Sequence, residues 1–233
     1  QPENSSKKFK MAAVIKGHPK REPGALVWSV ATLATSISLV AGCHRSGDLI
    51  VAADGGARHA LANGLIPDAV VGDFDSVDEA TRAAIPGDRF RRAARLDTTD
   101  LEKSVSHALS LGCDEIEILG AGGGRSDHAL ANLSVLTAYR GRARIRMHDE
   151  LFTISSVHGT ASIEGPVGTV ISLVALGECT GVTTEGLRWP LRDFTLPFGP
   201  RGIHNEIASS PAAVSVRTGD LLLFQGRWIE KHA

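Results

Sequence analysis

Four carboxylates stand where they could share one cation. Asp73 and Asp75 lie in Gly72-Asp73-Phe74-Asp75-Ser76, Asp100 in Asp97-Thr98-Thr99-Asp100, and Asp127 in Gly124-Arg125-Ser126-Asp127-His128. Each set follows an apolar run and is flanked by Gly, Ser or Thr, the pattern with which a parallel α/β sheet presents its ligand-binding loops. Acids gathered at one sheet edge repel one another unless a cation joins them. Carboxylates together with phosphate oxygens are the usual holders of Mg²⁺. The chemistry this predicts is the binding of a metal–nucleotide complex.

The spacing refines each element. Asp73 and Asp75 are two residues apart after Val70-Val71. In an extended segment both face one side, and Phe74 points the other way into packing. The plainer alternative is a turn whose acids bond loop backbone. Asp97 and Asp100 flank a helix start, where the dipole favours acids without any function; Asp100 is the better functional candidate because that first turn faces the crevice. Gly120-Ala121-Gly122-Gly123-Gly124-Arg125 precedes another helix start. Its glycines let backbone N–H groups approach phosphate, and Arg125 suits a bidentate phosphate contact. Asp54-Gly55-Gly56-Ala57 makes a further tight turn at the same edge. Neither the P-loop nor the dinucleotide fingerprint is present, and no Gly-x-Ser-x-Gly elbow occurs. The nine histidines form no pair on one helix face, and His107 and His128 read as ordinary helix residues.

These loops need elements to hold them. Up to His148, short apolar runs (Met11–Ile15, Leu49–Ala52, Ala69–Val71, Glu115–Leu119, Ala143–Met147) alternate with helical periods near Leu26–Val40, Ala57–Asn63, Val77–Ala84, Thr99–Leu111 and Asp127–Arg140. Such alternation predicts a mainly parallel sheet with crossover helices. Thr99 and Glu102 fit a capping box. After His148 the runs become short strands: Phe152–Val157, Ser162–Glu164, Thr169–Ala175, Val182–Glu185, Asp193–Leu196, Val214–Thr218 and Leu221–Gln225. Gly- and Pro-containing turns separate them, as in a β-sandwich. The expected organisation is therefore a tail at residues 1–10, an α/β domain at 11–149 and an all-β sandwich at 150–233.

Composition excludes several classes. The chain has 233 residues, 42% of them hydrophobic, and a net charge of −1 from 25 basic and 26 acidic residues. No long basic run supports nucleic-acid binding. Arg89, Arg91, Arg92 and Arg95 form the densest basic patch and read as a solvated loop or an attractor of polyphosphate. Cys43, Cys113 and Cys179 are far apart and odd in number, which fits reduced thiols in a cytoplasmic protein rather than a disulfide framework or a zinc site. Gln1–Lys10 reads as a disordered or appended tail, not a signal peptide. The charge-free stretch Ala25–Ala41 carries five hydroxyl side chains' worth of polarity (Ser29, Thr32, Thr35, Ser36, Ser38) and reads as a packed helix, not a membrane anchor.

Taken in order, these motifs resemble the thiamine pyrophosphokinase family. The likeness extends to Ser172-Leu173-Val174-Ala175-Leu176, Gly186-Leu187-Arg188-Trp189-Pro190-Leu191 and Gly202-Ile203-His204-Asn205-Glu206, and runs from Met11 to Phe224. It implies transfer of the terminal diphosphate of ATP to the hydroxyl of thiamine, giving thiamine diphosphate and AMP with Mg²⁺, by a homodimer whose site lies at the subunit interface. By the same resemblance, Asp73, Asp75, Asp100 and Asp127 are catalytic, with Asp73, Asp75 and Asp100 on the metal. Asp54, Gly55, Ser76, Thr99, Arg125, His204 and Asn205 bind substrate or nucleotide. Trp189 is an aromatic candidate for the thiamine side, but a buried core position is the favoured reading. His204 stands where the family usually has Ser, and Leu96 where it has Lys or Gln, which bears on substrate preference. The competing readings are a Mg²⁺-dependent phosphohydrolase, a pyrophosphokinase for a pterin-like alcohol, and a nucleotide- or vitamin-binding module without catalysis.

Overall fold

A computed structural model of the chain describes residues 25–28, 43, 47–93, 97–122 and 125–229. The chain divides into two compact units, with the division falling between Ser156 and Val157.

The first unit is a parallel sheet with helices. Its strands are β1 (Ala25–Trp28), β2 (Leu49–Ala53), β3 (Ala69–Gly72), β4 (Phe90–Arg92), β5 (Glu115–Leu119) and β6 (Arg144–His148), in the order β4-β3-β2-β1-β5-β6. All these neighbours run parallel, and the start of β7 (Phe152–Ile163) pairs antiparallel with β6. Order reverses between β1 and β5, the kind of switch point where such sheets bind ligands beyond their strand ends. Among the described residues, the strands are connected by α1 (Gly56–Ala62), α2 (Glu79–Ala84), α3 (Asp100–Ser110) and α4 (Ser126–Ala138). Thr99 caps α3 by accepting from the Glu102 N–H at 3.2 Å, and Leu101, Val105 and Ala108 form its buried stripe.

Two expectations about this unit are corrected. Residues 25–28 form a strand rather than the start of a helix, and Val27 is fully buried between β2 and β5. A charge-free apolar run satisfies a central parallel strand as well as a helix face, and periodicity alone does not separate the two. The rest of that expected helix, and the expected strand Met11–Ile15, lie outside the described residues. The basic patch is not simply a loop either: Phe90–Arg92 is the edge strand of the sheet. Short, charged edge strands resist pairing with other chains, and the same charge conceals them from pattern reading.

Between β5 and β6 sits a charged network. Glu117 lies opposite Arg146 in the strand register and accepts from its guanidinium, and His148 Nε2 lies 2.6 Å from Glu117 Oε2. Burial pushes the Glu117 carboxyl up, but the hydrogen bonds from His148 and Arg146 outweigh it and hold the group well below the usual carboxylate range. A depressed folded-state value means stability that is present above the ordinary value of 4.5 and is lost as pH falls toward the folded one. Glu117→Gln should therefore lower the unfolding free energy near neutral pH by about 3 kcal/mol. It should also flatten the fall in stability below pH 4.5, as read by urea denaturation across pH.

The second unit is an antiparallel β structure in all its described pairs. It contains β8 (Thr169–Ala175), β9 (Glu178–Glu185), β10 (Phe194–Pro197), β11 (Asn205–Glu206) and β12 (Ala212–Ile229). β12 pairs with both β8 and β9, β9 with β10, and β8 with β11, every pair antiparallel. Ile171, Leu173, Val182, Leu196, Val214, Leu221 and Leu223 build its core. The sequence suggested a turn at Thr218-Gly219-Asp220, yet β12 passes through it as one strand. Gly219 has φ +99 and its backbone lies against Glu178, where a Cβ would sit 2.4 Å from the carbonyl oxygen. The glycine marks a close approach within a strand, not a hairpin.

Candidate active site

Asp54 is the most enclosed acid of the catalytic edge. It follows β2 with φ 45, in the left-handed region that Asp tolerates better than most residues. It is 1% exposed, and its N–H donates to the Val71 carbonyl at 2.9 Å. Oδ2 accepts from the Ser76 N–H at 3.2 Å, while Oδ1 is buried with no hydrogen-bond partner among the described residues. Burial pushes the carboxyl up, the Ser76 hydrogen bonds oppose this, and the charges of Asp100 and Asp75 push it further up. Gly72 makes room for this side chain, since a Cβ there would lie 2.9 Å from Asp54 Cβ.

Asp73 and Asp75 belong to a tight turn, not to the extended segment expected. Phe74 between them has φ 72, the Asp75 N–H donates to Asp73 Oδ1 at 3.2 Å, and Ser76 Oγ donates to Asp75 Oδ1 at 2.9 Å. Left-handed backbone at a bulky aromatic costs on the order of 1–3 kcal/mol and persists only where its surroundings hold it. The Phe74 ring does point into packing, edge-to-face against Phe90 with centroids 5.3 Å apart. The turn brings the acids together: Asp54, Asp73 and Asp75 each offer an oxygen, all within 4.8 Å of one another. Three carboxylates so close, one of them buried with an unpaired oxygen, fit a hard divalent cation. Two exposed acids and one buried acid let such a cation keep open positions for phosphate oxygens.

The other acids are placed differently. Asp100 opens α3, half-buried, and its Oδ1 accepts from Lys103 Nζ at 2.9 Å. It is not one of the three closest acids, although its charge reaches Asp54. Asp127 opens α4 on the surface, clasped by Arg125 through Nη2 at 2.7 Å and Nε at 3.2 Å. The Arg125 hydrogen bond, aided by the His128 N–H, holds the Asp127 carboxyl down to about 2. Buried Asn132 donates to the Ala121 carbonyl at 2.9 Å and so ties the Gly-rich turn to α4. Gly55 stands at the N-cap of α1 without a side chain to cap it. Gly123, Gly124 and Leu96 lie outside the described residues.

In the second unit, His204 has φ 62 and its N–H donates to Ser172 Oγ at 3.0 Å. Asn205 spends its amide on the neighbouring loop: Oδ1 accepts from the Trp189 N–H at 3.1 Å and Nδ2 donates to the Trp189 carbonyl at 2.7 Å. Trp189 is 51% exposed, with the Arg188 guanidinium 5.4 Å from its ring centroid, so it is not a buried core residue. Arg188 in turn pairs with buried Glu206 at 3.3 Å.

Comparison with known proteins gives the same two-part pattern. The family model of the thiamin pyrophosphokinase catalytic domain matches residues 42–147, and that of the thiamin pyrophosphokinase vitamin B1 binding domain matches residues 160–223. A thiamine pyrophosphokinase of Bacillus subtilis (strain 168) is 31% identical over 188 residues, covering 76% of this chain and 86% of that protein. The chain belongs to the thiamine pyrophosphokinase family. Thiamine pyrophosphokinase 1 of Oryza sativa subsp. japonica is 31% identical over 149 residues, covering 57% of this chain and 56% of its own length. The crystal structure of thiamine pyrophosphokinase from Bacillus subtilis matches with a TM-score of 0.76 at 26% identity, over 87% of this chain and 98% of that one. Thiamin pyrophosphokinase from Candida albicans shares the fold, with a TM-score of 0.71 at 18% identity over 89% of each chain.

Asp54, Asp73, Asp75, Asp100 and Asp127 fall within the stretch matched to the thiamine pyrophosphokinase catalytic domain, and Trp189, His204, Asn205 and Glu206 fall within the vitamin B1 binding match. Sequence reasoning overlooked Lys103 and Asn132. An i,i+3 Asp–Lys pair at a helix start is visible in the sequence as a reason for Asp100 to be partly neutralised. No local signal announces that Asn132 reaches back eleven residues.

Proposed function

We propose that this enzyme transfers the diphosphate of ATP to the hydroxyl of thiamine, with residues 11–149 carrying ATP and metal and residues 150–233, as a β-sandwich, carrying thiamine. The observation that carries the reading is that Asp54, Asp73 and Asp75 each bring a carboxylate oxygen within 4.8 Å of the others, with Asp54 buried and its Oδ1 without a partner among the described residues. Asp54, Asp73 and Asp75 would hold Mg²⁺, with Asp100 adding negative charge nearby. When bound, Mg²⁺ offsets phosphate charge and polarises the phosphoryl oxygens. The hydroxyl oxygen attacks the β-phosphorus, a C–O–P link forms, the bond to the α-phosphate oxygen breaks, and AMP leaves. Catalysis of this kind is chiefly positioning and electrostatics. A proton acceptor must sit near the hydroxyl. Asp100 and Asp127 are the two candidates for that role. Gly55, Ser76, Thr99 and Arg125 serve the nucleotide in this reading.

Thiamine is cationic and suits the exposed face of Trp189. Asn205 acts there by fixing the Trp189 backbone, and His204 by setting the turn beside it. Trp189→Ala should raise the KM for thiamine about tenfold with a smaller change in kcat, as steady-state kinetics will read. The exposed Trp189, Phe198 and Ile203 support a homodimer with the site at the subunit interface. The scattered cysteines support a cytoplasmic setting, and among the described residues no helix is long and apolar enough to cross a membrane. The test is product analysis with ATP, Mg²⁺ and thiamine. AMP that appears only when thiamine is present supports the reading. ADP or free phosphate released without thiamine overturns it in favour of hydrolysis.

A further inference from the structure

We propose that Arg82 is a positioning residue that clamps Phe74 against Phe90, and so holds the carboxylates of Asp73 and Asp75 in their metal-binding arrangement. The inference rests on reading that turn as the divalent-cation site.

Phe74 is the only residue between the two acids, and its backbone is in a left-handed conformation that a bulky aromatic rarely adopts. Within the turn itself, the acids are linked by short local bonds: the Asp75 N–H to Asp73, and Ser76 Oγ to Asp75. Such bonds close a turn, but they do not fix it to the sheet. Two polar contacts reach the strand ends, from the Ser76 N–H to Asp54 Oδ2 at 3.2 Å and from Arg92 Nη2 to the Asp73 carbonyl at 3.4 Å, and the ring of Phe74 adds the apolar anchor. It meets Phe90 of the edge strand edge-to-face, at an interplanar angle of 89°. The Arg82 guanidinium lies 5.7 Å from the Phe74 centroid and 5.2 Å from the Phe90 centroid, so one cation bridges both rings. Below them lie Ala52, Ala57, Val70 and Ile85, the apolar cluster against which Phe74 and Phe90 pack. Arg82 is itself placed by α2, whose start is fixed by Asp78 accepting from the Thr81 N–H at 2.7 Å. The chain of contacts runs from a capped helix, through a guanidinium, to the ring whose backbone carries both acids.

The clamp makes a prediction opposite in sign to simple electrostatics. Arg82 is a positive charge near an acidic turn. If charge were all it contributed, removing it would tighten binding of a cation. A clamp predicts that removal loosens the turn and weakens binding. Arg82→Gln removes charge and stacking together, Arg82→Lys keeps the charge and much of the ring contact, and Phe90→Leu removes one ring while leaving the charge in place.

The experiment measures Mn²⁺ binding to the full-length protein by electron paramagnetic resonance without nucleotide, alongside steady-state kinetics and thermal melts. Arg82→Gln and Phe90→Leu should each raise the Mn²⁺ Kd about tenfold and shift the Mg²⁺ dependence of kcat by a similar factor. The KM for thiamine should stay unchanged, and Arg82→Lys should recover most of the loss. If Arg82→Gln fails to fold, Phe90→Leu carries the same test. Mn²⁺ binding that is unchanged or tighter in either folded variant overturns the clamp. Asp75→Asn is the control for the underlying reading: if it binds Mn²⁺ like the parent, or if the parent binds none, the cation site itself is wrong and the clamp falls with it.

Discussion

Asp75→Asn, and equally Asp73→Asn, should lower kcat by about a thousandfold while leaving the melting temperature close to that of the parent. Both side chains are exposed, and their hydrogen bonds are the local ones of one turn. Removing one therefore costs little packing. On the proposed reading, what is lost is a charge aimed at a cation and, through it, at the transferring phosphates. Preorganised electrostatic groups of this kind are each worth about two to three orders of magnitude in rate. The swap to Asn preserves shape and one oxygen, so the loss reports charge. The check is kcat at saturating ATP and thiamine with a titration of Mg²⁺. A variant whose turnover equals the parent's would remove that acid from the site.

Gly72→Ala should be nearly as severe, although it alters no charged group. The new methyl would lie 2.9 Å from Asp54 Cβ and 3.1 Å from Oδ1. Real Cβ atoms do not approach so closely, so the buried carboxylate or the strand end must move. Overpacking a buried site costs about 1–3 kcal/mol of stability. A displacement of about 1 Å at a reacting group can cost about a hundredfold in rate. Loss of activity should therefore exceed what the change in stability explains. Gly87→Ala is the control, because its added Cβ meets nothing within 4 Å. Equal kinetics for the two substitutions would show that the Asp54 position is immaterial.

Much of this architecture is legible in the sequence, and the losses have physical causes. The strand–helix alternation and the acids at strand ends are carried by local pattern: β5 coincides with the expected Glu115–Leu119, and α3 with the capped period after Thr99. Asp54 was legible as a turn residue but not as the partner of Asp73 and Asp75. That partnership depends on Gly72 giving way beside it and on the left-handed turn at Phe74, and neither is written in spacing. Asp100 was legible as a helix-start acid, and Lys103 one turn later explains its partial neutralisation. Trp189 was misjudged toward the core because large aromatics usually bury. Here the backbone around it is secured by Asn205, which leaves the ring outside. β1 and β12 show the two limits of pattern: a charge-free run that suits either element, and a glycine that marks close approach rather than a turn.

The most direct test of the cation site is a crystal soaked with Mn²⁺ and a non-hydrolysable ATP analogue, read by anomalous scattering. The account predicts a peak about 2.0–2.2 Å from oxygens of Asp54, Asp73 and Asp75, with phosphate oxygens completing the shell. Strong density for the nucleotide with manganese elsewhere, or with none, would contradict it.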